Sequence, residues 1–95
     1  MVVEKVELNV IAGREDELLQ YVAERRAVID ESAGCRAFIF GRGVEDPSKV
    51  FFAVTWDSIE QHKAATQAPK FQEFSGGLRG FVTGAKAEHF TIFEG

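Results

Sequence analysis

Hydrophobic and polar residues alternate from Val2 to Ile11, with Val6, Leu8 and Val10 on one side and Lys5, Glu7 and Asn9 on the other. A period of two predicts a strand with one covered face, and Gly13 ends it. From Arg14 to Ser32 the period lengthens. Leu18, Leu19, Val22 and Ile29 recur at helical spacing, with Tyr21 and Val28 at the flanks, and Glu15, Asp16 and Glu17 lie where a helix dipole favours acids. Gly34 stops that helix. Arg36 to Val44, with Phe38, Ile39 and Phe40, predicts a second strand, and the acid, proline and serine of EDPSK turn it into a third.

The third strand, VFFAVTW over residues 50–56, carries large side chains on both faces and therefore needs cover on both. Ser58 with Gln61, or Asp57 with Glu60, has the spacing of a capping box and opens a second helix, which Pro69 interrupts. Phe71, Phe74 and Leu78 resume an apolar stripe. Gly76, Gly77, Gly80 and Gly84 predict a broken connection before a last strand over Ala87 to Phe93. The order β-α-β-β-α-β gives an α+β, ferredoxin-like fold: a four-stranded antiparallel sheet with both helices on one face, in one domain spanning residues 1–95. The other face of the third strand has no cover within the chain. A second copy is the simplest source of it, so a homodimer is expected.

Composition narrows the field of partners. With 45% hydrophobic and 27% charged residues the chain can build a core, and 11 basic against 15 acidic residues leave no electrostatic footprint for nucleic acid or an anionic membrane. No run is long enough to span a membrane, and the first residues lack the basic and apolar regions of a secretory signal. Cys35 is alone, which excludes an internal disulfide and points to a reducing, cytoplasmic setting.

Val10 to Gly13, Ala33-Gly34-Cys35 before an aromatic strand, Trp56-Asp57-Ser58 with His62, and Pro69-Lys70-Phe71 with Phe74 together resemble the antibiotic biosynthesis monooxygenase family over nearly the whole chain. The resemblance implies subunits that pair sheet to sheet into a dimeric α+β barrel. It also implies a choice of activities, including cofactor-independent oxygenation of aromatic polyketides and haem degradation. The haem-degrading branch carries an asparagine, a tryptophan and a histidine at places that fall near Val6, Thr66 and Ser75 here, so haem degradation is disfavoured. The resulting expectation is a cofactor-independent enzyme acting on an aromatic or quinone-like small molecule. The alternative is a non-catalytic, ligand-binding or accessory, stress-related barrel.

Several residues could carry that chemistry. His62, on the second helix, could take a proton from a phenol or enol or orient the substrate; otherwise it is a rim residue. Arg25 projects near the middle of the apolar stripe of the first helix, so it must snorkel, pair with a carboxylate or face a cavity where it would steady an oxyanion. Trp56, Phe71 and Phe74 could wall a flat pocket or simply fill the core. Asn9 and Tyr21 are polar-tipped candidates for orienting a ligand, although Asn9 could instead face a partner sheet. His89 is expected at an interface. His62 and His89 are the only histidines, and with no clustered cysteines or carboxylates beside them no metal site is expected. Cys35 reads as a small buried residue.

Overall fold

The computed structural model describes residues 1–94. The strands are β1 (Val2–Val10), β2 (Cys35–Arg42), β3 (Lys49–Trp56) and β4 (Val82–Thr91), and they form one antiparallel sheet in the order β2-β3-β1-β4. Helices α1 (Glu15–Arg25), α2 (Ala27–Asp30), α3 (Ile59–Ala65) and α4 (Pro69–Leu78) complete the β-α-β-β-α-β plan, with a 3₁₀ turn at Arg79–Phe81 before β4. Among the described residues no helix is long and apolar enough to cross a membrane.

Strand alternation divides the sheet. Val50, Phe52, Val54 and Trp56 face the helices and are buried, whereas Phe51, Ala53 and Thr55 on the opposite face are only partly covered. Leu18, Val22, Ile29 and Phe74 from the helices close the core over the first set. Register then fixes the neighbourhood of the site. On the helix side Glu4 of β1 lies between Val54 of β3 and His89 of β4, and Val6 lies between Phe52 and Ala87 one row further along.

Four sequence expectations change. The first helix is not continuous to Ser32: its hydrogen bonding restarts at Arg26, whose guanidinium donates to the Phe38 carbonyl at 2.7 Å and pairs with Asp30 at 2.7 Å, tying the short α2 turn to β2. Gly76 and Gly77 do not break the chain, because α4 runs through both to Leu78. The last strand starts at Val82 and ends at Thr91, pairing along the whole of β1, so Phe93 lies beyond it and is exposed. Strand β2 ends at Arg42, leaving Val44 exposed in the turn.

Two local features seat α3. Ser58 caps it by accepting from the Gln61 backbone N–H at 3.2 Å, as the Ser58–Gln61 spacing predicts. Gly34 has φ of +84° and its carbonyl accepts from the Asp57 N–H at 2.8 Å, and the Gln61 side chain packs where a Cβ would stand. A larger residue at 34 would push α3, and with it His62, away from the sheet.

Candidate functional site

The site is built on Glu4. At position 4 the β1 alternation turns a carboxylate toward the helices, on the same face as Val6, Leu8 and Val10. A carboxylate there must keep hydrogen-bond donors. It has two: the Trp56 indole N–H approaches Oε1 at 3.4 Å and His62 Nε2 lies 3.3 Å from Oε2. Trp56 is fully buried and stacks on the His62 ring at 5.0 Å between centroids, which fixes the plane of the imidazole.

His62 links the carboxylate to the molecular surface. Its Nδ1 lies 3.0 Å from Nε2 of His89, the exposed cross-strand neighbour of Glu4. An ionised Glu4 assigns the protons along this row: His62 donates from Nε2 to Glu4, and its Nδ1 accepts from His89 Nε2. Burial lowers the pKa of His62, and nearby His89 lowers it further, against the opposing pull of the Glu4 charge. The neutral ring that results is a donor to Glu4 on one edge and an acceptor on the other.

Beside this row, between the sheet and α4, lies a cavity of about 200 Å³ walled by Val6, Phe52, Val54, Phe71 and Phe74 among others. Glu4 is the only charged side chain on its wall, and Ser75 supplies a hydroxyl. The arrangement can hold a flat apolar molecule with one polar edge against an oriented carboxylate, and each Glu4 oxygen keeps a lone pair beyond the bond it accepts.

The model of the antibiotic biosynthesis monooxygenase family matches residues 1–76. The chain belongs to that family. Solved structures provisionally named for it share the fold: one from Bordetella bronchiseptica is 23% identical with a TM-score of 0.87, covering 98% of this chain and 97% of that one. One from Deinococcus radiodurans is 18% identical with a TM-score of 0.88, covering 100% and 95%. A third, from Nitrosomonas europaea, is 10% identical with a TM-score of 0.88 over 99% and 100%. No curated protein matches the chain.

Within this antibiotic biosynthesis monooxygenase fold the residues singled out from sequence separate into groups. His62 is buried against Glu4 rather than at a rim, and Phe71 and Phe74 line the cavity. Trp56 stands behind His62, and Tyr21 stands behind Phe74, stacking on its ring at 5.7 Å and donating from its hydroxyl to the Phe74 carbonyl at 2.9 Å. Two positions fall outside. Arg25, at the last turn of α1, is exposed and lies over the Tyr21 ring at 4.1 Å, and with Tyr21 and Phe74 it lines a separate open pocket of about 370 Å³ rather than the cavity beside Glu4. Asn9 shares its face with Lys5 and Glu7, so it lies on the far side of the sheet from the cavity. His89 is on the helix side of β4, where it meets His62. Cys35 is partly covered, and burial beside Asp30 raises its thiol pKa. Of the positions compared with the haem-degrading branch, Val6 and Ser75 line the cavity and bring no ring to it.

Sequence reasoning missed Glu4. The signal was present, since a glutamate on the parity of Val6, Leu8 and Val10 interrupts an otherwise apolar face. It also missed the grouping of Glu4, His62 and His89, which strand register and α3 bring together from distant parts of the chain.

Proposed function

We propose that this protein is a cofactor-independent monooxygenase of a single-ring hydroxyarene or similar quinone-forming metabolite, with Glu4 as the base and His62 as the residue that positions it. The observation that carries this reading is one oriented carboxylate on the wall of an apolar, ring-sized cavity. A cavity of roughly 150 Å³ takes up benzene, so the volume here of about 200 Å³ suits one ring with small substituents.

On this reading the phenolic proton passes to Glu4. The phenolate gives one electron to O₂, and the resulting radical and superoxide couple at a ring carbon to form a C–O bond. The peroxide takes up a proton. Glu4 then removes the hydrogen of that same carbon as a proton, the C–H electron pair closes a C=O bond, and the O–O bond breaks. The departing hydroxide is protonated to water. One oxygen atom ends in the quinone and the other in water, and O₂ is the only oxidant consumed. His62 and Trp56 hold the carboxylate in one orientation throughout.

The working form is a homodimer, joined through the open face on which Ile39 and Phe90 are 59% and 46% exposed and Phe51 and Ala53 only partly covered. The lone free thiol of Cys35 suits a cytoplasmic location.

Oxygen uptake over a panel of single-ring hydroxyarenes tests the reading, with Glu4→Gln as the variant because the amide oxygen can still accept from His62 or Trp56. Loss of a general base costs about 10²- to 10⁴-fold in turnover, and a drop of that size with the fold intact is expected. Full turnover in Glu4→Gln removes Glu4 as the base. Tight ring binding without oxygen uptake by the unmodified protein marks a ligand-binding barrel instead.

A further inference from the structure

The geometry points to a divalent metal site formed by Glu4, His62 and His89, suited to a late first-row ion such as Zn(II) or Co(II). One ligand atom from each of the three lies within 4.8 Å of the others. Two imidazole nitrogens and a carboxylate oxygen form a donor set that selects Zn, Co, Ni, Cu or Fe(II) over the hard, oxygen-loving Mg(II) and Ca(II).

The two imidazoles need little adjustment. Ions of this kind bind imidazole nitrogen at about 2.0–2.1 Å, which sets two nitrogens roughly 3.3 Å apart in a tetrahedral site. Here His62 Nδ1 and His89 Nε2 are already 3.0 Å apart. An ion between them replaces the proton they share. Glu4, whose ligand oxygen lies within 4.8 Å of the imidazole ligand atoms, turns to the ion as the third ligand and gives up its contact with His62 Nε2, which faces away from the ion. The burial that keeps His62 neutral supports the ligand form of the ring.

Access and preorganisation also fit. His89 is exposed on β4 and gives the ion a route from solvent, while Trp56 stacking and the strand register hold His62 and Glu4 in place before an ion arrives. Three protein ligands leave a fourth position for water or a small molecule. The inference does not rest on the oxygenase reading. The two share Glu4 and His62, and an ion there takes the oxygen that would receive the substrate proton, so the ion-loaded form is inactive as a base catalyst.

Titrating the chelator-treated protein with Co(II) tests the site through the visible ligand-field bands of low-coordinate cobalt, with Zn(II) added afterwards as competitor. One Co(II) per chain, displaced by Zn(II), is expected. His89→Ala removes a ligand at an exposed position where the fold is secure. Its affinity should fall by at least roughly 100-fold, since even outer partners of metal ligands are worth about 10- to 100-fold. Absence of the bands at equimolar Co(II), or bands of equal affinity in His89→Ala, overturns the proposal.

Discussion

Glu4 is the residue on which the proposed chemistry turns, and it is held by donors that sequence spacing does not reveal. Its parity in β1 was legible, but Trp56 and His62 reach it from β3 and α3 across more than fifty positions of chain. His62 itself was legible as a candidate because α3 had a clear cap and its position faced inward; its neutral state between Glu4 and His89 was not, because that depends on burial and on strand register. This state has a consequence for stability. The folded pKa of His62 lies below its unfolded value, so the unfolded chain binds more protons as pH falls through about 6.5. The stabilising contribution is complete above that value and is lost below it. Urea midpoints measured in chelator-treated protein should therefore drop between pH 7 and 5.5, and His62→Gln should flatten the slope. Parallel slopes in the two proteins would count against the assignment.

At the scale of elements, strands and caps were the most readable parts and glycines the least. Alternation located β1, the two-faced apolar run located β3, and the Ser58–Gln61 spacing located the start of α3. The glycines near residue 77 were read as breakers because their cost in a helix, about 1 kcal/mol each against alanine, is visible locally while its compensation is not. The Tyr21 hydroxyl packs where a Cβ of Gly77 would stand, so the glycine lets α4 approach α1; nothing lies near the corresponding point at Gly76. Opposite outcomes follow in thermal or urea unfolding. Gly76→Ala should stabilise by about 0.5–1 kcal/mol, whereas Gly77→Ala should destabilise by about 1–3 kcal/mol through overpacking. The split at Arg26 was illegible for a similar reason, since its bond to the Phe38 carbonyl joins segments that only the fold brings together.

For the whole molecule, the two-faced third strand remains the strongest sequence argument for assembly, and the partly covered Phe51, Ala53 and Thr55 mark the face concerned. Sedimentation should give about twice the 10.5 kDa chain mass, and Ile39→Glu, placing a charge among the apolar side chains of that face beside Ala53, should shift the protein to monomers. A wild-type monomer at micromolar concentration would remove the dimer. Glu4, His62, His89 and the cavity lie on the helix side, away from that face, so pairing through it would leave each site complete. The chain also contains a single tryptophan, and it is the one stacked on His62. Its emission is consequently a label-free gauge of that ring: an imidazolium takes an electron from excited indole more readily than a neutral imidazole, so arrival of a proton at His62 dims the light of the entire protein.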